Sequence, residues 1–274
     1  MDNLLEVRNL AVSFTDELGG EAVRGISFGM APGERLGIVG ESGSGKTMTA
    51  LAIAGLLTRS KTRAEGEIIF AGTNLLEISR EKMRTIQGRK IGFVFQEPMT
   101  SLNPLMKVGL QVEEALLIHT ALSPAERRER ALRALREAEL GDAETAYAKY
   151  PHELSGGQRQ RALIAAAMVA DPSLIIADEP TTALDVTVQA QILKLFQKIS
   201  EERGMALLFI SHDLRLVRRL CPRVLVMRGG EIVERGETDS VFSNPQHEYT
   251  KTLVKSAPGG KMRRERGQNN GQRA

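Results

Sequence analysis

Gly40-Glu41-Ser42-Gly43-Ser44-Gly45-Lys46-Thr47 lies between the apolar run Leu36-Gly37-Ile38-Val39 and the helix-prone run Met48-Thr49-Ala50-Leu51-Ala52-Ile53-Ala54. Glycine, four residues, glycine, lysine, then serine or threonine is the spacing of a phosphate-binding loop. A strand before it and a helix after it are the context that spacing requires. There, backbone N–H groups and the positive end of the helix dipole converge on one point, where a phosphate chain fits. Lys46 would hold β- and γ-phosphate oxygens, and the Thr47 hydroxyl would ligate Mg²⁺. A flexible glycine turn is the weaker reading. A dinucleotide loop is weaker still, because Gly-x-Gly-x-x-Gly counted from Gly43 needs a small residue where Met48 stands. The stretch predicts binding of a nucleoside triphosphate.

A chain of 274 residues can bury a sizeable core. Its 42% hydrophobic and 26% charged residues are ordinary for a soluble globular protein. The longest apolar run covers nine residues, 162–170, against the ~20 needed to span a bilayer. Met1-Asp2-Asn3 opens no export signal, so a cytoplasmic protein is expected. A single cysteine, Cys221, rules out an internal disulfide and any thiolate cluster; a small packed residue is expected there. The net charge of +3 suggests nucleic acid, but its distribution argues otherwise. Residues 259–274 carry five basic side chains against Glu265, a net +4, which leaves −1 for the rest. Such a basic tail, rich in Gly, Asn and Gln, reads as disordered.

Along the chain, Leu5, Val7, Leu10, Val12 and Phe14 alternate as a half-buried strand would. A turn over 16–20 and a second strand over 22–30 follow. Phe14 is either a core phenylalanine or an aromatic that stacks on a nucleobase. Glu67-Ile68-Ile69-Phe70 predicts a strand antiparallel to the first ones, and residues 91–95 another, ending at Gln96-Glu97-Pro98. Gln96 stands at a strand end before a proline loop, a usual place for a residue that moves with ligand. From 101 to 150 the character is helical, with a capping box at Ser123-Pro124-Ala125-Glu126 and apolar residues at Ala131, Leu132, Leu135 and Ala138.

Leu154-Ser155-Gly156-Gly157-Gln158 precedes a helix over 159–170. Two glycines after a serine at a helix start can receive an anion, although on the residues alone a plain N-cap is the stronger reading. The buried strand Leu174-Ile175-Ile176-Ala177 runs into Asp178-Glu179-Pro180. Downstream of a phosphate loop, one of these carboxylates can sit near Mg²⁺ and the other can polarise the attacking water. A strand over 206–210 ends at Ser211-His212-Asp213. His212 is either a capped structural histidine or a donor to a phosphate oxygen. Residues 224–234 form a closing hairpin around Gly229-Gly230. Strands alternating with helices predict a mostly parallel central sheet with nucleotide at its carboxyl edge.

Taken in order, the phosphate loop, Gln96, Leu154-Ser155-Gly156-Gly157-Gln158, Asp178-Glu179 and His212 resemble the ATP-binding cassette (ABC) ATPases over residues 4–257. The resemblance implies an α/β fold: a P-loop NTPase (RecA-like) core with a mostly parallel sheet, an antiparallel β-subdomain and an inserted helical subdomain. The implied nucleotide-binding domain covers 1–258, with the helical part over about 97–170. It implies that Phe14 stacks on adenine, that 40–47 is the Walker A loop, and that Gln96 touches Mg²⁺ or water and senses a membrane partner. Ser155, Gly156, Gly157 and Gln158 match the signature, used in trans on a second subunit's ATP. Asp178 matches the Walker B carboxylate, Glu179 the general base, Asp185 of Ala183-Leu184-Asp185 the D-loop, and His212 the switch histidine at the γ-phosphate.

Three stretches resemble the peptide/nickel import subfamily more closely. The first is Phe95-Gln96-Glu97-Pro98-Met99-Thr100-Ser101-Leu102-Asn103-Pro104. The second is Asp178-Glu179-Pro180-Thr181-Thr182-Ala183-Leu184-Asp185-Val186-Thr187-Val188-Gln189-Ala190-Gln191, and the third Asn244-Pro245-Gln246-His247-Glu248-Tyr249-Thr250. The chain departs from the subfamily in lacking a C-terminal cysteine cluster, and in Glu248 where proline is common. The resemblance implies a peripheral subunit at the cytoplasmic face of the bacterial inner membrane, using ATP and Mg²⁺ to import di- or oligopeptides or a nickel or other metal chelate. Its implied partners are a second, non-identical ABC ATPase subunit, two integral membrane permease subunits and an extracytoplasmic solute-binding protein, with no nucleic acid. The competing reading is a soluble ABC ATPase acting on nucleic acid or ribosomes. Members of that class usually carry two cassettes, a long coiled coil or zinc cysteines, and none of these is present. An ATP-binding regulator without turnover fits less well with intact Glu179 and His212.

Overall fold

The computed structural model describes residues 3–15, 19–58, 60–97, 101–182 and 184–256. The basic tail 259–274 and most of the expected turn at 16–20 lie outside them. The strands in chain order are β1 (Leu5–Phe14), β2 (Gly20–Met30), β3 (Arg35–Val39), β4 (Thr62–Phe70), β5 (Thr73–Asn74), β6 (Ile91–Val94), β7 (Leu174–Asp178), β8 (Ala206–Ser211), β9 (Arg223–Arg228) and β10 (Glu231–Glu237). The helices are α1 (Lys46–Ile53), α2 (Arg80–Arg84), α3 (Val108–His119), α4 (Pro124–Glu137) and α5 (Ala143–Ala148). They continue with α6 (Gly156–Met168), α7 (Val186–Arg203), α8 (Leu214–Leu220), α9 (Thr238–Ser243) and α10 (Glu248–Ser256).

Alternate side chains of a strand point to opposite faces, so a strand apolar throughout must be covered twice. The central strands follow that rule. Ile175 and Ala177 of β7, with Leu207 and Phe209 of β8, pack into a core shared with α3, α4, α6, α7 and α8. Their neighbours Leu174, Ile176, Leu208 and Ile210 pack into a second core with α1, β1, β2 and β4. The sheet between them has the order β10-β9-β3-β8-β7-β6. Its neighbouring strands from β9 to β6 are parallel, and β10 closes one edge antiparallel to β9. The expected hairpin over 224–234 is this last pair.

The other sheet, β2-β1-β4-β5, is antiparallel. β4 begins at Thr62, five residues before the expected strand, because its polar first half pairs with Ala11, Val12, Ser13 and Phe14 while keeping one face wet. The helical lobe α3–α5 is inserted between β6 and α6, and α4 opens with the expected box: Ser123 caps, Pro124 follows, and Glu126 reaches back to the Ser123 N–H at 2.8 Å. α6 then lies directly on β6. A Cβ on Gly92 would stand 2.2 Å from the Ala167 carbonyl oxygen, so only glycine permits that approach. Cys221 is buried at the end of α8, as a small packed residue.

Candidate active site

The phosphate loop leaves β3 at its carboxyl end and enters α1 through Gly45, whose φ of 99° is left-handed and free for glycine alone. A Cβ there would meet the Ala22 carbonyl oxygen at 2.4 Å. Gly45 offers no side-chain cap, so the first N–H groups of α1 stay available to a ligand. The Lys46 ammonium folds back over the loop, donating to the carbonyls of Gly40 (2.9 Å) and Glu41 (2.7 Å). Burial lowers its pKa from the ordinary lysine value, against the pull of Glu179, Asp178 and Glu41. An ammonium so placed gains from a phosphate anion.

β7 and β8 bring the acidic and histidine residues to the same edge. Glu179 follows β7 with φ at 45°, a left-handed conformation uncommon for a side chain of its length. Its carboxylate, 13% exposed, collects three partners on Oε2. Gln96 Nε2 donates at 3.3 Å, the Thr182 hydroxyl donates at 3.1 Å, and His212 Nδ1 lies 3.0 Å away. A cleft of about 860 Å³ joins these groups to the loop, lined by Phe14, Ser42, Gly43, Gly45, Lys46, Thr47, Gln96, Glu179, Thr182 and His212 among others. Phe14 stands 41% exposed on that wall and not in the core. The volume suits a nucleotide-sized ligand.

Gly40, Ser44 and Asp178 sit beneath this lining, and all three are buried. Burial pushes the Asp178 carboxyl up to about 6; a hydrogen bond from Thr47 and the charge of Lys46 work against that, while Glu179 adds to it. Asp178 Oδ1 is buried without a hydrogen-bond partner. An orphaned carboxylate oxygen beside a threonine hydroxyl is the donor set a hard divalent cation takes. The cation would satisfy that oxygen and offset the cost of burying its charge.

Ser155, Gly156, Gly157, Gln158 and Asp185 do not line the cleft. They form a second face. Ser155 and Gln158 make a reciprocal capping box, with Gln158 Oε1 accepting the Ser155 N–H at 2.9 Å and Ser155 Oγ accepting the Gln158 N–H at 3.3 Å. That box starts α6 at Gly156, three residues before the expected start, in spite of two glycines in its first turn. Asp185 caps α7 without a reciprocal partner, its Oδ1 accepting the N–H groups of Thr187 and Val188, each at 3.0 Å. The two helix starts touch: a Cβ on Gly157 would meet Val188 Cγ1 at 2.9 Å. Sequence reading assigns no role to Thr182, although its place three residues after Glu179 in a tight turn signals it.

The family described as ABC transporter matches residues 23–182, which run from β2 through the phosphate loop and signature to Thr182. The chain belongs to this family. A probable peptide ABC transporter ATP-binding protein of Sinorhizobium fredii is 49% identical over 94% of this ABC ATPase and 77% of its own length. A dipeptide transport ATP-binding protein of Lactococcus lactis is 46% identical over 94% of the chain and 74% of its own. An ATP-binding cassette solved as a dimer in a post-hydrolysis state, with ADP and Pi, superposes with a TM-score of 0.77. It is 32% identical, over 85% of this ABC ATPase and 98% of that chain. The relatives give no support to the nucleic-acid reading. Among the described residues no helix is long and apolar enough to cross a membrane.

Proposed function

We propose that this ABC ATPase is the peripheral, ATP-hydrolysing subunit of an importer of di- or oligopeptides, or of a metal chelate of similar size, at the cytoplasmic face of a bacterial cell membrane. The observation that carries the catalytic half is the convergence of Gln96, Thr182 and His212 on Glu179 Oε2, across one cleft from Lys46. Phe14 gives the adenine a face to stack on. Loop 40–47 takes the phosphates through its N–H groups, and Lys46 turns from the carbonyls of Gly40 and Glu41 to the β- and γ-oxygens. Thr47, Asp178 and Gln96 hold Mg²⁺, which supplies charge stabilisation at the phosphates. Glu179 accepts a proton from the attacking water, and Gln96 and Thr182 keep its carboxylate aimed. His212, 60% exposed beside Glu179, offers its ring to the γ-phosphate.

The signature and Asp185 are assigned to the ATP of a second, non-identical cassette, because a helix start lying outside its own chain's cleft can cover a γ-phosphate only in trans. For the membrane partners, a groove of about 360 Å³ runs between β6, α3 and α6, lined by Leu56, Phe93, Phe95, Leu102, Ile118 and Leu163 among others. Phe95 is 42% exposed and Ile118 65%. We assign this groove to a short apolar helix of a permease subunit. Phe95 adjoins Gln96, so docking there would act one residue from the catalytic cleft. The solute class rests on the relatives named for peptide and dipeptide transport. A strain lacking the gene should fail to grow on di- or tripeptides, or on the chelate, as sole nitrogen or metal source. Failure to take up a sugar or an inorganic anion instead overturns the solute assignment.

A further inference from the structure

The segment Asn244-Pro245-Gln246-His247-Glu248-Tyr249-Thr250 lies outside the cleft lining, yet it reaches the phosphate loop. The Tyr249 hydroxyl, on a residue 5% exposed, accepts the N–H of Glu41 at 2.8 Å. That N–H belongs to the Gly40–Glu41 peptide, whose carbonyl oxygen accepts from the Lys46 ammonium at 2.9 Å. One peptide plane is thus held at both ends, by Tyr249 on the N–H and by Lys46 on the carbonyl.

The tyrosine is itself fixed from three sides. The Arg228 guanidinium lies 4.9 Å over its ring, at the end of β9. His247 Nδ1 accepts the Tyr249 N–H at 3.1 Å. The turn before it is tied to β10 by the Glu234 carboxylate, which accepts the N–H groups of Gln246 (2.8 Å) and His247 (3.1 Å). A rigid hairpin and helix therefore present one hydroxyl to one loop N–H.

We infer that Tyr249 is a positioning residue for the phosphate loop: by holding the Gly40–Glu41 peptide it sets the resting place of the Lys46 ammonium and keeps the loop in the shape that receives a triphosphate. It touches no nucleotide and takes no part in proton transfer. The inference rests on the reading of the cleft as the ATP site. A receptor that spends part of its time in an unreceptive shape binds more weakly by that fraction. Loss of one hydrogen bond of this kind corresponds to roughly a three- to tenfold change in an equilibrium constant.

The test is Tyr249→Phe in the full chain, which keeps the ring under Arg228 and removes only the hydroxyl. The dissociation constant for ATP in equilibrium titration, and KM, should rise about three- to tenfold, with kcat within about twofold because Gln96, Glu179 and His212 are untouched. A merely structural role would lower the unfolding midpoint of the nucleotide-free protein and leave the dissociation constant unchanged; that result overturns the inference. Glu234→Gln loosens the turn at 246–247 and should raise KM in the same direction, with no further rise when combined with Tyr249→Phe. If Tyr249→Phe does not fold, unchanged ATP affinity in Glu234→Gln overturns the inference by itself. Lys46→Ala separates the two failures. If it binds ATP as tightly as the parent, the nucleotide reading of the cleft falls; if it loses affinity while Tyr249→Phe keeps it, only the role of Tyr249 falls.

Discussion

Glu179→Gln tests the chemistry with little disturbance to the shape. An amide oxygen placed at Oε2 still accepts from Gln96 at 3.3 Å and from Thr182 at 3.1 Å, and the left-handed backbone at residue 179 suits Gln no worse than Glu. What disappears is the basic oxygen. General acid–base catalysis contributes about 10²- to 10⁴-fold, or roughly 3 to 5 kcal/mol of barrier, and steady-state ATP turnover of the assembled complex should fall by that factor. ATP affinity measured by equilibrium titration should stay near that of the parent, because Phe14 and loop 40–47 are unaltered. On the proposed composite site, bound ATP that is not hydrolysed would continue to bridge two cassettes, so the variant should accumulate a dimer in static light scattering with Mg·ATP, with the partner cassette or with itself at high concentration, and revert to monomer when the nucleotide is removed. Turnover within tenfold of the parent would refute the assignment of Glu179 as the base. Turnover that falls together with ATP affinity would place Glu179 in binding instead.

Adding Gly157→Asp to Glu179→Gln should abolish the Mg·ATP dimer in the same scattering assay. The new side chain is forced against Val188 Cγ1, 2.9 Å from its Cβ, and sets a negative charge where a partner's γ-phosphate must approach. Asp178→Asn should stabilise the nucleotide-free, chelator-treated protein while stopping turnover. The folded state holds this carboxyl at about 6, above its ordinary 3.8, so charging it costs roughly 3 kcal/mol at neutral pH. A raised carboxyl pKa means that the penalty is present above about pH 6 and vanishes as the pH falls through 6 towards 4. The gain in unfolding free energy should therefore be seen at pH 7.5 and be absent near pH 4 in denaturant titrations. Arg161→Met removes bonds to the Ala138 carbonyl (3.0 Å), Glu139 (2.8 Å) and Gln191 (3.1 Å) from a side chain that is nearly buried. It should lower the unfolding free energy by roughly 2–3 kcal/mol, leaving the single-chain ATP affinity unchanged, since none of these residues lines the cleft.

The parts legible in the sequence are those whose signal is local. The runs 36–39 of β3, 174–177 of β7 and 206–210 of β8 are apolar because both faces are covered, and such a run is readable without a partner. The first half of β4 is not, since Thr62-Arg63-Ala64-Glu65 is a strand only by virtue of pairing with β1. Sequence reading also places no separate helix over 186–203. Ile192, Leu193, Leu195, Phe196 and Ile199 carry the helical period, but Asp185 read as a loop residue hides the start that its own carboxylate caps. Asp178-Glu179 and His212 are each ambiguous alone, and they join the phosphate loop in one site because parallel strands end at the same sheet edge. Phe14 could not be decided locally, because alternation is the same for a core residue and for one that ends a strand at a cleft. Tyr249 falls in a stretch that the resemblance singles out, but nothing local in it signals the contact with the phosphate loop, 208 residues away.

The same geometry lets the signature read as a plain cap and, on the proposed function, still serve as an anion site. Within one chain Ser155 and Gln158 satisfy each other, which fixes the helix start without a ligand. A capping box takes up only two of the donors of a first turn, and Gly156 and Gly157 allow a phosphate to approach the others closely. On that reading the face must also be rigid, since a second cassette would have to meet it in one orientation. Val188 against Gly157 ties α6 to α7 at one end, and Arg161 to Gln191 ties them again one turn further along. Signature and Asp185 are therefore tied into one packed unit, and Arg161 joins that unit to the end of α4 through Ala138 and Glu139. A permease helix seated between α3 and α6 would press on this unit from one side and, through Phe95 and Gln96, on the catalytic cleft from the other. Both halves of a composite site would then respond to one contact, which is what coupling of hydrolysis to transport requires.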